Sequence, residues 1–443
     1  MREAATDIVK TLVQAGHEAV FAGGCVRDML RGVTPKDYDI ATSALPEQVQ
    51  KLFPKSHAVG AHFGVVIVVR DGVQFEVATF RRDGVYSDGR HPDSVEFTSA
   101  EEDAKRRDFT VNGLFFDPLK EEVLDYVGGR ADLGAGILRA IGDARQRFRE
   151  DHLRLLRAIR FATVLGFEIE KETWTAIGEM ADAIKQVSAE RIRMELEKIF
   201  THPSRVRGFD LLVESGLMKA VLPEILVLQG CEQPPQFHPE GDVFVHTRIM
   251  LGLLPPDASL PLVLSVLFHD IAKPATFTRD PDGRIRFNNH DKLGAQMAND
   301  ILRRLKFSND IVEPVVEAVD RHMMFKDVQK MRVSRLKRFM AHEGFDDELE
   351  LHRVDCMSSN GLSDNYDFLK AKQVEFGTEQ KPLVPPPLVN GRDVMALGIP
   401  AGPRVGELLG AVQDMQLEGA LKTHGEAMEW LRGQVKSGAP NVT

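Results

Sequence analysis

Hydrophobic periodicity changes character near residue 146, and that change limits what this chain can fold into. Before it, short apolar runs alternate with polar residues between glycine-rich turns and amphipathic stretches. Phe21-Ala-Gly-Gly reads as a strand entering a glycine turn, Val26 to Leu30 as a short helix and Tyr38 to Ala41 as a strand. Val65 to Arg70 and Val73 to Phe80 read as strands joined by Asp71-Gly72, a hairpin signal. Ile8, Val9, Leu12 and Val13 followed by Gly16 mark a first amphipathic helix, and no signal peptide is read ahead of it. Segment 81–100 is polar and reads as a loop. Beyond residue 146 the spacing is helical, with no convincing strand. The expectation is an α+β chain: a mixed-sheet head at 1–140, then all-α regions at 141–205, 206–345 and 346–443. Within the last, the proline-rich Lys381 to Leu388 leads to a helical unit from Gly391 to Arg432.

Composition narrows the classes further. With 43% hydrophobic and 28% charged residues in 443, there is apolar material for several cores and no sign of disorder. The longest apolar stretches, Gly64 to Val69 and Leu260 to Phe268, fall far short of the ~18 residues a membrane span needs. Cys25, Cys231 and Cys356 are odd in number and far apart, which points to a reducing cytoplasm. A net charge of −10 argues mildly against nucleic acid, but phosphate binding needs only a local basic stripe. Two exist. Residues 139–160 hold seven Arg against three acids, and residues 326–338 hold six Lys/Arg against one Asp. Each alone is as well explained by a solvated helix face.

The densest chemistry lies between Gly23 and Thr42. Asp37 and Asp39 are two apart on an expected strand, so their side chains share a face. Two such carboxylates suit Mg²⁺, which takes a few carboxylates plus phosphate oxygens. The Gly23-Gly24 turn offers backbone N–H groups to a triphosphate, with Arg27 in reach. Glu76 adds a third acid on the strand around Phe75 to Phe80. Three acids on neighbouring strands can hold two metals for in-line attack of a hydroxyl on an α-phosphate. A lone Asp-x-Asp is more often a surface strand.

The whole segment Gly23-Gly24-Cys-Val-Arg27-Asp28 through Asp37-Tyr-Asp39 resembles the signature of class II tRNA nucleotidyltransferases and bacterial poly(A) polymerases. By that resemblance Asp37 and Asp39 are the metal ligands, Gly24 and Arg27 lie at the nucleotide, and Glu76 stands in the third acid's place. Arg106-Arg107-Asp108-Phe109-Thr-Val-Asn112 looks like the family's ribose-recognition motif, in which Arg107, Asp108 and Asn112 can contact phosphate and sugar hydroxyls. Asp125 to Leu133 resembles the hinge after the head. Glu150-Asp151-His-Leu-Arg154-Leu-Leu-Arg157-Ala-Ile-Arg160 matches the segment that serves as a protein template for the incoming base. Read from the residues alone, it is an amphipathic helix with an Arg row, on which Asp151 and Arg154 are neighbours three apart. Ser188, a helix cap, opens the next helix through Glu195, which matches the element bracing the template.

The template logic is chemical. Cytosine and adenine both place an amine donor beside a ring-nitrogen acceptor, which a carboxylate and a guanidinium match. Uracil and guanine present the reverse order and leave buried groups unpaired, at roughly 1–3 kcal/mol each.

A second constellation follows: His246, the adjacent His269-Asp270 after an apolar helix, His290, His322 and Asp355. One histidine on an apolar helix is usually a satisfied core residue. Neutral imidazoles plus carboxylates suit divalent transition metals with an open position for water. The order resembles the HD phosphohydrolase superfamily and its fuller ligand set for two metals. The alternative is a degenerate HD fold kept for RNA binding. The tail from Asn390 to Gly406 resembles that of HD-bearing tRNA nucleotidyltransferases and reads as packing and tRNA docking.

The resemblance implies Mg²⁺-dependent addition of C, C and A to tRNA from CTP and ATP in the cytoplasm, with an accessory HD activity and no membrane partner. A poly(A) polymerase is the nearest alternative, disfavoured because Ala58 to Val66 lacks that subfamily's basic pair. A C-C-adding enzyme is disfavoured by the full-length loop from Arg81 to Asp93, and A-only addition stays open. An HD phosphohydrolase with an RNA-binding head is the alternative of another class.

Overall fold

A computed structural model describes residues 1–59, 64–84, 94–377 and 382–436. The stretches used above to separate alternative activities, 58–66 and 81–93, lie partly outside the described residues, as does Lys381 of the proline-rich connector. The chain divides into two compact units: residues 1–227 with 255–257 and 301–307, and residues 228–254, 258–300 and 308–443.

The first unit is built on β1 (Ala19–Ala22), β2 (Ile40–Thr42), β3 (Ser56–Ala58), β4 (Val65–Arg70), β5 (Val73–Thr79), β6 (Arg81–Asp83), β7 (Val95–Phe97), β8 (Leu114–Asp117) and β9 (Glu122–Asp125). Seven of these form a mixed sheet in the order β3-β4-β5-β2-β1-β8-β9, in which only β2 and β5 run parallel. Both faces are covered, as period-2 side-chain alternation along β1 requires. Ala19 and Phe21 join one core with Ile8, Val9 and Leu12 of the helix Arg2–Gln14. Val20 and Ala22 join another with Ala41, Phe115 and the helix Ala100–Lys105. Phe21 is fully buried, which contributes roughly 2–3 kcal/mol by transfer alone.

The α+β expectation holds, with four corrections. The strand expected at Tyr38 begins at Ile40, although Ala22 N–H still bonds Asp39 O at 2.9 Å, so pairing extends one residue earlier. Segment 81–100 is not all loop, because β6 and β7 pair through Arg81–Phe97 and Asp83–Val95. Beyond residue 146 there are strands. β11 (Glu168–Ile169) pairs with β10 (Ile137–Leu138), which lies ahead of that point, and β12 (Phe277–Arg279) pairs with β13 (Ile285–Phe287). Runs of two or three residues are too short to show alternation. Ser188 precedes the helix Ala189–Phe200 as expected, but its side chain makes no capping bond.

The second unit is mainly helical. Its helix Leu260–Phe268 is apolar but for Ser265, whose hydroxyl bonds Pro261 O, and buried from Leu262 to Phe268, as a central helix should be. Ser259 caps it by accepting from Leu262 N–H at 3.1 Å, and it ends at His269. Among the described residues no helix is long and apolar enough to cross a membrane.

Candidate active site

Tyr38 decides where the paired carboxylates point. It is buried beside Phe21, ring centroids 5.2 Å apart, in the core shared with Ile40. Asp37 and Asp39 flank it and therefore face the other side of the sheet. Phe75 and Val77 enter that same core, so Glu76 between them turns the opposite way too. Because Ile40 registers with Val77 in parallel β2 and β5, Asp39 comes beside Glu76. Burial raises the Asp39 carboxyl to about 6, helped by the charges of Asp37 and Glu76 and opposed by Arg107. A site that already disfavours the negative charge on Asp39 is one that a cation would relieve. The trio is not drawn into a closed ligand cluster: among the described residues, three-residue groups with ligand atoms within 4.8 Å lie in the second unit.

Gly23 sits at φ +71°, and a Cβ there would lie 2.8 Å from Arg107 Nη1. Its N–H donates to Leu114 O at 2.9 Å, so of the two turn glycines only Gly24, which opens the helix Gly24–Leu30, can turn its amide to a ligand. Gly23→Ala is expected to destabilise the first unit by about 1–3 kcal/mol through left-handed strain and displacement of Arg107. Thermal melting of the variant checks this.

The expected ribose group is a buried relay. Arg27 Nη1 donates to Asn112 Oδ1 at 2.6 Å, and Asn112 Nδ2 donates to Asp108 Oδ1 at 3.0 Å. Arg157 Nε donates to Asp108 Oδ2 at 2.9 Å. Burial would raise the Asp108 carboxyl, but the Arg157 charge and these hydrogen bonds hold it at about 2. Arg107 is braced by Asp103, with Nη2 to Oδ2 at 3.0 Å.

The template segment is not one helix. The helix Ala144–Glu150 ends, Asp151 is extended at φ −144° and ψ 105°, and a new helix Arg154–Leu165 begins. The helical i,i+3 adjacency expected of Asp151 and Arg154 is therefore wrong, and each is held by a different partner. Arg154 Nη1 donates to Glu150 Oε2 at 2.7 Å and to Arg147 O at 3.0 Å, while Nη2 donates to Arg106 O at 3.0 Å. Asp151 Oδ2 accepts from Arg191 Nη2 at 2.8 Å. The Arg row is not a solvated face: Arg154 is buried, Arg160 lies 2.7 Å from Glu195, and Arg27, Arg157 and Arg160 surround the Phe161 ring at 4.0–5.4 Å.

One cavity of about 580 Å³ gathers most of these groups. Gly24, Arg27, Asp37, Asp39, Arg107, Asp108, Asn112, Asp151, Arg154, Arg157 and Arg160 line it; Glu76 and Glu150 do not. Glu150 instead bonds Arg154, and Glu76 lies beside Asp39. Arg106, Arg191 and Phe161 also line the cavity and were not singled out as site residues. It carries seven guanidiniums against five carboxylates, a positive pocket in a chain of net charge −10. The other basic stripe lines a separate cavity of about 560 Å³ with Arg332, Arg335 and Arg338, the last paired with Asp414.

In the second unit the six expected residues do meet. The Nδ1 atoms of His269, His290 and His322 lie 2.7–2.9 Å from the carbonyls of Val266, Phe287 and Val319. His246 Nδ1 instead lies 2.7 Å from Glu240 Oε1. All four rings thereby turn Nε2 toward the centre. His246 Nε2 lies 3.2 Å from Asp355 and His269 Nε2 3.0 Å from Asp270, both buried and without hydrogen-bond geometry. His290 and His322 approach Asp270 Oδ1 at 3.4 and 3.9 Å. Orphaned imidazole nitrogens beside carboxylates are groups that could hold a divalent metal. Burial favours neutral His322, lowered to about 4, while Asp355 and Glu240 outweigh burial at His246 and raise it to about 9. Lys273, Gln233, His238 and Glu240 complete this centre and were missed. Lys273 Nζ bonds Asp270 at 2.7 Å and Gln233 Oε1 at 2.6 Å.

Family comparisons fall on the same segments. Residues 19–139 match the Poly A polymerase head domain, 166–228 a probable RNA and SrmB-binding site of polymerase A, and 245–351 the HD domain. The CCA-adding enzyme of Lactobacillus johnsonii is 31% identical over 428 residues, 96% of this chain and 95% of that one. The chain belongs to the CCA-adding enzyme family. The Geobacillus stearothermophilus member is 47% identical over 220 residues, a match spanning 49% of this chain and 54% of that relative. The crystal structure of the Bacillus stearothermophilus CCA-adding enzyme in complex with CTP superposes with a TM-score of 0.75 at 30% identity, covering 98% of both chains.

Proposed function

We propose that the chain adds C, C and A to the 3′ end of tRNA, taking CTP and ATP and using no nucleic-acid template. One observation carries this reading. The paired carboxylates, the ribose relay and the Asp151/Arg154 pair open into a single positive cavity, so one nucleotide can be held by phosphates, sugar and base at once. The relative solved with CTP supports the nucleotide class. Arg27 and Arg107 would hold the triphosphate, Asp108 and Asn112 the ribose, and Asp151 with Arg154 the base, while Arg157 and Arg160 keep the pocket positive. Mg²⁺ on Asp37 and Asp39, with Glu76 beside them, would neutralise phosphate charge and activate the attacking 3′ hydroxyl. The head at 1–140 and the template motif of the neck at 141–205 would hold the nucleotide, and the tail at 346–443 would dock tRNA. A cytoplasmic location belongs to the same reading, supported by three free thiols.

The deciding experiment incubates the chain with tRNA transcripts ending before C, after C and after C-C, each nucleotide offered alone. Two additions from CTP followed by one from ATP are expected. A run of A residues from ATP alone would establish a poly(A) polymerase instead.

The four converging Nε2 atoms favour a second, accessory reading: a metal-dependent phosphohydrolase in the body at 206–345, its ions held by His246, His269, Asp270, His290, His322 and Asp355. His269→Ala is expected to abolish hydrolysis of phosphomonoesters or 2′,3′-cyclic nucleotides with Mn²⁺, Ni²⁺ or Co²⁺ and to leave C-C-A addition intact. Wild-type chain without such hydrolysis would favour a degenerate HD fold.

A further inference from the structure

Four histidines surround Asp270, and one of them is held differently. His269, His290 and His322 lean on backbone carbonyls, which are neutral and local, three residues earlier in each case. His246 leans on a carboxylate. Glu240 reaches it from the segment ahead of the helix Val243–Leu253, outside the stretch that matches the HD domain. The Glu240 side chain is 7% exposed and its Oε1 also lies 2.9 Å from His238 Nδ1. The same segment supplies Gln233, which holds Lys273 against Asp270. Residues 231–242 are thus a strap that grips the centre at two points.

The two halves of the centre also differ in charge. His246, His269, Asp270 and Asp355 form one half with two carboxylates. Asp270, His290 and His322 form the other and share only the first of those acids. A carboxylate on the distal nitrogen of a ligating imidazole fixes its tautomer and raises its basicity, and losing it costs about 10–100-fold in metal affinity.

Resting on the HD metal reading above, we propose that Glu240 is a positioning residue that makes the His246 half the tight metal position, filled before the half formed by His290 and His322. Glu240 accepts a hydrogen bond from Nδ1–H, so Nε2 of His246 is the atom that would be offered to an ion on the side of Asp355. Backbone carbonyls orient the other three rings without adding charge. The ligand set therefore loads in order.

The test is a Co²⁺ titration of the full chain carrying Asp37→Ala and Asp39→Ala, so that the head contributes no site. Bound metal is counted by equilibrium dialysis and coordination followed by visible absorption. Two affinities are expected in this parent. Glu240→Gln keeps an acceptor oxygen but removes the charge, and should weaken the tight affinity about 10–100-fold while the weaker one stays put. Glu240→Ala, which removes the acceptor as well as the charge, should weaken the tight affinity at least as far, although Ser358 Oγ stays 3.2 Å from the same nitrogen. Parental affinities in both variants would overturn the proposal. So would equal weakening of both positions with a lowered Tm, which would make Glu240 a folding residue. If the parent binds Co²⁺ no better than its Asp270→Ala derivative, the HD metal reading fails and the proposal falls with it.

Discussion

Asp37→Ala and Asp39→Ala should each lower nucleotide addition by about a thousandfold or more, roughly 4 kcal/mol of barrier, at ordinary Mg²⁺. The size of the effect follows from chemistry: removing a metal ligand deletes charge neutralisation and hydroxyl activation together. Loss of fold is not the cause, and the Asp39 environment makes that checkable. Its carboxyl is raised to about 6 by burial first and by Asp37 and Glu76 second. A group whose folded value exceeds its unfolded one gives stability that is present below about pH 4 and lost as pH rises through about 6. Asp39→Asn, which cannot ionise, should therefore melt at or above the wild-type temperature at pH 7.5 without Mg²⁺. That advantage should shrink below pH 4, while addition stays abolished at every pH. Near-normal addition by any of these variants would remove the carboxylate pair from the reaction.

The face shared by Asp37 and Asp39 was legible in sequence because alternation is local: a buried aromatic between two acids settles their direction whatever the rest of the chain does. The His269-Asp270 pair was legible for a similar reason, since an almost wholly apolar helix must be buried and its end must be polar. Asp151 was not legible. Its neighbours have helical spacing, yet the chain leaves the helix there because Asp151 bonds Leu153 N–H and is held by Arg191, 40 residues away. Nothing near Asp151 carries that information. The β12–β13 hairpin could have been found, since Asp280-Pro-Asp-Gly283 is a turn sequence and Gly283 N–H bonds Asp280 O at 2.8 Å. Glu240 and His238 also left a signal, an acid and an imidazole-bearing residue within eight positions of His246. They stand outside the His…His-Asp…His…His…Asp order, and only their meeting in space brings them to His246.

Base choice is expected to depend on Asp151 and Arg154 in a way that separates selection from simple charge. Arg154 spends its Nη1 hydrogens on Glu150 and Arg147 O and one Nη2 hydrogen on Arg106 O. Of its five N–H donors, Nε–H and one Nη2–H remain for a ligand, and they point from a buried, immobilised group. Asp151 is likewise fixed through Arg191 and the Leu153 amide, with lone pairs to spare. Such a pair can offer a donor to a ring nitrogen and an acceptor to an exocyclic amine, and it cannot rotate to suit the reverse order in uracil or guanine. Arg154→Ala and Asp151→Ala should each slow CTP and ATP addition and reduce the CTP/UTP and ATP/GTP preferences by about tenfold or more, since one unpaired buried group is worth roughly 1–3 kcal/mol. Glu150→Gln touches only a support outside the cavity lining, and should erode the same ratios less while the pocket keeps its shape. If Arg154 instead anchors the triphosphate by charge, Arg154→Ala slows all four nucleotides alike. Single-nucleotide incorporation with each of the four triphosphates separates the cases, and unchanged ratios in both alanine variants would leave Arg154 as a phosphate anchor and no template in the chain.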